Sequence, residues 1–185
     1  MLDSKFIDQD FSNKSLIGKE YQSCTFSKCD FTNANLTGSS FIECIFNNCN
    51  LSNTNVDSCS FQDVQFVECK LVGINFTTIN TFLNNWIFKK SRLELCVFRE
   101  LDIKKSIFQD CIIKDCDFVN TDLTESIFTG SDLLLSRFEH CNLEKCNFIG
   151  AKNYYIDPTQ NRLKKAKFSQ PDVVNLLEGF GIEIE

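Results

Sequence analysis

Apolar positions recur along this chain with a period of five. From Tyr21 the centres are Tyr21, Phe26, Phe31, Leu36, Phe41, Phe46, Leu51, Val56, Phe61, Phe66, Leu71 and Phe76. Two residues before each centre stands a small residue, as at Cys24, Cys29, Ala34, Ser39, Cys44, Cys49, Thr54, Cys59 and Cys69, with Val64 and Ile74 as larger exceptions. A period of five is neither the two of a strand nor the 3.6 of a helix. It predicts a solenoid of short repeats, each with its own corner.

The same phase starts at Phe6, Phe11 and Leu16. It resumes at Phe88 and runs through Phe98, Phe108, Phe118, Phe128 and Phe138 to Phe148, then returns at Leu163 and Phe168. The step from Phe76 to Phe88 adds two residues to two repeats. If four units close one turn, each coil has twenty residues and each centre stacks on the one a coil away. Phe6, Phe26, Phe46, Phe66, Phe88, Phe108, Phe128, Phe148 and Phe168 then form one all-phenylalanine column. A spacing between coils of about 4.8 Å suits such stacked rings. Gly18, Gly38, Gly73, Gly130 and Gly150 share the position two after a centre with Asn13, Asn33, Asn48, Asn53 and Asn120. Both residue types accept the positive φ of a type II turn. Lys28, Glu43, Glu68 and Lys145 at that position predict other turn types at their corners.

Two interruptions divide the pattern. In residues 77–87, Trp86 takes a place where a small residue is usual, so the coil is expected to widen or loop out. Phe82, Leu83 and Trp86 are then either an exposed aromatic binding feature or a plug in a distorted coil. Residues 151–161 read as a long corner or an excursion. The repeat is thus expected over residues 1–168, and a separate tail over 169–185. In the tail, Ser169 is the expected N-cap of a helix over 171–178 that Gly179 stops, and Ile182 and Ile184 alternate as a short strand would.

The formal net charge of -6 argues against a nucleic-acid surface, which needs a basic footprint. No apolar run is long enough for a membrane helix and no signal-peptide pattern opens the chain, so a cytoplasmic protein is expected. All eleven cysteines lie two before a centre, which predicts small buried thiols, reduced and free of metal, rather than disulfides. The one histidine, His140, sits at a corner. No phosphate loop, dinucleotide fingerprint or nucleophile elbow is present, so neither an enzyme nor a cofactor site is expected. Asp63, Glu68, Asp115 and Asp117 are expected near one another on a flat outer wall. Asp115 and Asp117, with Phe82, Leu83 and Trp86, are the candidate partner contacts.

Ala34-Asn35-Leu36-Thr37-Gly38, Cys29-Asp30-Phe31-Thr32-Asn33 and Cys116-Asp117-Phe118-Val119-Asn120 carry a family pattern: a small residue, Asp or Asn, Leu or Phe, then two variable residues. The chain therefore resembles the pentapeptide-repeat family. That resemblance implies an all-β fold, a right-handed quadrilateral β-helix, here with a short C-terminal helix. In length, in its two-part coil and in its C-terminal helix it is similar to the members that protect DNA gyrase and topoisomerase IV from quinolones. Those are rod-like dimers whose acidic surface imitates duplex DNA. The resemblance implies a protein partner, gyrase or topoisomerase IV, and a homodimer through the C-terminal end with Val174, Phe180, Ile182 and Ile184 as contacts. The alternatives are a general protein-interaction scaffold, and a tail that folds back on its own coil.

Overall fold

The computed structural model describes residues 1–80, 85–180 and 182. The chain winds into a parallel four-faced β-solenoid of about eight turns. The first face is a six-stranded parallel sheet of Lys5–Ile7, Thr25–Ser27, Ile45–Asn47, Val64–Val67, Trp86–Lys89 and Ile107–Gln109. Its register puts Phe6 on Phe26, Phe26 on Phe46, Phe46 on Phe66, Phe66 on Phe88 and Phe88 on Phe108. Asn147–Phe148 and Lys167–Phe168 extend the same column. The second face stacks Lys70–Val72, Arg92–Glu94 and Ile112–Lys114, and the fourth stacks Glu20–Gln22, Ser40–Ile42 and Ser60–Gln62. The third, on the Leu16 column, is built mostly of single bridges such as Ser15 to Asn35 and Asn75 to Val97.

One register explains the stacking. Backbone N–H groups donate to carbonyls one coil away, so residues of equal phase are forced into contact. Phe108 is fully buried, with the rings of Phe88 and Phe128 stacked at 5.0 and 4.8 Å. The third-face column crosses it edge to face: the Phe118 ring lies 6.0 Å from Phe108 at 90°. Offset-stacked and edge-on pairs add about 0.5–1.5 kcal/mol each beyond their burial.

The corners are left-handed even without glycine or asparagine: Lys28, Glu43, Glu68 and Lys145 have φ values of 54, 53, 54 and 60°. The turns differ in closure. An i to i+3 hydrogen bond closes the corners of Asn33 and Lys145, Ala34 N–H to Phe31 O at 2.9 Å and Cys146 N–H to Leu143 O at 3.1 Å, whereas Lys28, Glu43 and Glu68 sit in open bends. Among the described residues, twenty-five non-glycine residues have φ from 48 to 64°. A side chain there costs about 1 kcal/mol relative to glycine. The ladder imposes the conformation, because each corner N–H donates to the next coil, as Lys28 does to Asn47 O at 2.9 Å and Glu43 to Gln62 O at 2.8 Å.

Trp86 takes the plug alternative. It pairs in register with Val64 and is 1% exposed, so the slot does hold the indole, and the two added residues fall in the step from Asn80, which bridges Ser60, to Trp86. Its ring lies inside the coil, 5.3 Å from Phe76 and 6.2 Å from Phe88. Residues 151–161 take the long-corner alternative rather than the excursion. Lys152 bridges Asp132, Tyr154 enters the core, and Tyr155–Ile156 pairs with Arg137–Phe138. Ile156 stands on Phe138 two positions early, and the turn around Asp157 and Pro158 restores the phase at Arg162, which bridges Asn142.

The tail forms a 3-10 helix, Asp172–Phe180, that passes through Gly179. Leu176 packs on the last coil. Ser169 is not its cap: the Ser169 hydroxyl accepts the N–H of Gly150 at 2.9 Å.

Phe108→Ala is expected to cost about 3–5 kcal/mol in chemical denaturation, through lost burial and the cavity left between two rings. A loss below about 1 kcal/mol would mean that the column does not stack as described.

Candidate protein-binding surface

The small residues before each centre have a role beyond leaving room for rings. Many of their polar atoms donate to the carbonyl of a centre on the neighbouring coil. Thr54 Oγ1 reaches Phe31 O at 2.9 Å, Ser131 Oγ reaches Phe108 O at 2.8 Å and Cys141 Sγ reaches Phe118 O at 2.8 Å. Trp86 keeps the role at larger size, its Nε1–H donating to Phe61 O at 2.9 Å. Hence Cys, Ser and Thr interchange here as small donors. That role was visible in the sequence as a choice of residue types, but its acceptor needs the coil spacing. All eleven cysteines are buried and free. Burial pushes the thiols of Cys44 and Cys141 up to about 11, and those of Cys59, Cys111 and Cys146 up to about 12. Among the described residues no group of three or more His, Cys, Asp or Glu side chains could hold a metal ion.

The Asp or Asn before many centres is also used locally. Asp30 Oδ1 accepts the Thr32 N–H at 2.8 Å, and Asp122 Oδ1 accepts that of Thr124 at 3.0 Å. These Asx turns set each face up for its corner. Asp117, a candidate partner contact, is committed in the same way. One oxygen takes the Val119 N–H at 3.1 Å and the other pairs with Arg99 at 2.6 Å. Asp115 differs: it is an exposed corner residue, with Lys114 Nζ at 4.0 Å. Asp63, Glu68 and Asp115 occupy three different corners and Asp117 lies on the third face, so the four do not share a wall. Trp86, being buried, leaves the set of surface candidates. Phe82, Leu83 and Ile184 lie outside the described residues. Val174, Phe180 and Ile182 are exposed at the C-terminal end.

What remains outward is a set of flat faces with an uneven charge. Residues 20–69 hold Glu20, Asp30, Glu43, Asp57, Asp63 and Glu68 against one cation, Lys28. Those carboxylates meet neutral partners, as Glu43 with Ser23 Oγ at 3.0 Å and Glu68 with Asn48 Nδ2 at 3.1 Å. Among the described residues the ion pairs all join groups between Arg92 and Arg162. The grooves are shallow; one of about 360 Å³ on a corner is lined by Glu68, Lys70, Lys90 and Arg92.

A family model described as pentapeptide repeat region matches residues 19–85, and one described as pentapeptide repeats matches residues 116–152; together they span more than half of the chain. The chain is a pentapeptide-repeat protein. Two trypsin-treated forms of QnrB1, a plasmid-mediated fluoroquinolone resistance protein, share its fold. One has a TM-score of 0.67 at 18% identity, covering 100% of this chain and 99% of that one. The other has a TM-score of 0.66 at 17% identity, covering 98% of each. HetL, a pentapeptide repeat protein involved in heterocyst differentiation regulation from the cyanobacterium Nostoc, gives a TM-score of 0.48 at 15% identity, covering 93% of this chain and 91% of that one. No curated protein matches the sequence.

The raised thiols of this pentapeptide-repeat protein fix the sign of one pH dependence. An unfolded thiol ionises near 9.0, whereas the folded one holds its proton, so stability is intact below pH 9 and falls as pH rises towards 11–12. Urea midpoints across that window should fall steeply, and less steeply with Cys59→Ser, Cys111→Ser and Cys146→Ser combined. Equal slopes in both proteins would contradict the assignment.

Proposed function

We propose that this chain is a non-enzymatic protein-binding solenoid whose acidic N-terminal coils dock on a basic protein surface. The supporting observation is the division of charge: carboxylates without cationic partners around residues 20–69, and ion pairs on most carboxylates between Arg92 and Arg162, with Glu100, Asp110 and Asp157 as exceptions. Exposed pairs are individually weak, about 0–1 kcal/mol, but they cancel the long-range field where they form. The N-terminal coils then hold the densest run of unpaired carboxylates to steer a cationic partner. Glu43 and Asp63 occupy the same corner on consecutive coils and are the residues we expect to matter most.

DNA gyrase or topoisomerase IV is the partner we favour. The acidic coils support it, as does a fold shared along its full length with a fluoroquinolone resistance protein. A general interaction scaffold is the second reading, favoured by the cations interspersed through coils five to eight. Supercoiling by gyrase with ciprofloxacin separates them. Micromolar protein should restore supercoiling under the first reading, less well at high salt because distributed charges are screened. Glu43→Lys with Asp63→Lys should weaken the effect about tenfold or more. No change in supercoiling or drug-induced cleavage would leave the scaffold reading.

The C-terminal end carries a proposed two-fold contact. Val174, Phe180 and Ile182 are exposed while Leu176 is occupied by the last coil. A symmetric partner would bury the same patch twice. Light scattering on the full chain should give a dimer mass, and a monomer at tens of micromolar would end that reading.

A further inference from the structure

Among the described residues, the left-handed corners hold Gly, Asn, Asp, Ser, charged side chains and His140, with two exceptions. Leu95 and Leu135 have φ of 54 and 59° and are 60 and 65% exposed. Each therefore bears two unfavourable terms at once, a strained backbone and an apolar side chain in water. Nothing in the coil requires them, since Asn53 and Gly73 fill the same corner on earlier turns. The two lie on one edge. The N–H of Leu95 donates to Lys114 O and that of Asp115 to Leu134 O, both at 3.1 Å, so Leu95, Asp115 and Leu135 follow one another on successive coils. Leu134 is exposed beside Leu135. Beyond them the shortened last coil sets Tyr155, 55% exposed, on Arg137. Leu135 and Tyr155 together line an open groove of about 280 Å³ with Phe138 at its base.

We propose that this edge is a docking ridge for an amphipathic helix of a partner protein, laid along the solenoid axis. Spacing selects the occupant. Rings in the adjacent column repeat at 4.8 and 4.9 Å, so Leu95 and Leu135 stand about 10 Å apart with Asp115 midway. A helix has a pitch of 5.4 Å, and its residues i, i+3 or i+4, and i+7 lie about 0, 5 and 10.5 Å along one face. An extended strand presents same-face residues about every 6.6 Å and loses register over two coils. The partner helix therefore carries apolar residues at i and i+7 against Leu95 and Leu135. A Lys or Arg at i+4 faces Asp115, and a large apolar residue at i+11 enters the groove beside Tyr155. This rests on the protein-binding reading above and assigns it a second surface, chemically unlike the acidic coils.

The test uses the full chain and a labelled helical peptide of about 18 residues with Leu at i and i+7, Lys at i+4 and Phe at i+11. Fluorescence anisotropy should show saturable binding at tens of micromolar. Leu95→Asn and Leu135→Asn should each weaken it about fivefold or more. Asp115→Lys should shift the preference towards the same peptide with Glu at i+4. Both Leu→Asn variants should also raise the thermal midpoint by about 2 °C or more, because Asn tolerates the left-handed conformation. Absence of binding, or equal binding by the double Asn variant, overturns the ridge. A lowered midpoint overturns it too, since the leucines would then serve the fold. If the Asn variants instead abolish self-association of the full chain, the occupant is a second copy and the partner helix is refuted. None of these results bears on the acidic coils, which the charge reversals at Glu43 and Asp63 test separately.

Discussion

The in-register hydrogen-bond ladder between coils is the constraint from which the rest of the molecule follows. Each backbone N–H that points along the solenoid axis finds a carbonyl one coil on, as Phe31 does with Asn50 and Phe118 with Arg137. Once twenty residues close a turn, a side chain has no choice of neighbour: it meets the residue of equal phase above and below. Rings stack on rings, at 4.8 Å from Phe108 to Phe128, and slot donors such as Cys141 and Ser131 meet the carbonyl of the centre 23 residues earlier. The ladder is strong enough in aggregate to hold Lys28, Glu43 and Glu68 in left-handed corners that their side chains disfavour.

That dominance explains which features could be read from the sequence. The five-residue phase, the phenylalanine column and the buried cysteines follow from side-chain size and spacing, which are visible residue by residue. The fit of Trp86 into a regular slot did not follow, because a slot's capacity depends on its neighbours: the indole stands among Phe76, Phe88 and Phe98 and donates to Phe61 O. The left-handed conformation at Glu68 is imposed by the ladder rather than by residue preference, so its residue type does not announce it. The 151–161 stretch shows as a break in phase, but a count of fives does not reveal that the coil shortens by two residues at one face and recovers them at the next. On the surface, proximity among Asp63, Glu68, Asp115 and Asp117 needed the corner assignment, which a five-residue count alone leaves open.

The same economy separates structure from function in this fold. Inward positions, slot donors and many of the Asp and Asn residues are consumed by the coil itself. Only residues that the coil does not use can be kept for a partner. By that criterion Asp117, held by Val119 and Arg99, says little about recognition. The unneutralised carboxylates near Glu43 and Asp63, and the strained, exposed Leu95 and Leu135, say more. Among the described residues the grooves are open rather than enclosing, so rows of outward side chains are the features with which such a surface can meet a partner.

The central claim is that twenty residues, not five, are the unit of the fold. Guanidinium unfolding of two deletion variants tests it directly. Removing residues 116–135 deletes one whole coil and leaves every remaining residue on its own face. Removing residues 116–120 keeps the five-residue phase but moves every later residue round by one face, setting Phe128 under Ile103 rather than Phe108. The account predicts a cooperative, ring-stacked shorter solenoid from the first and a clearly less stable protein from the second. Equal stability of the two, or collapse of the first alone, would contradict it.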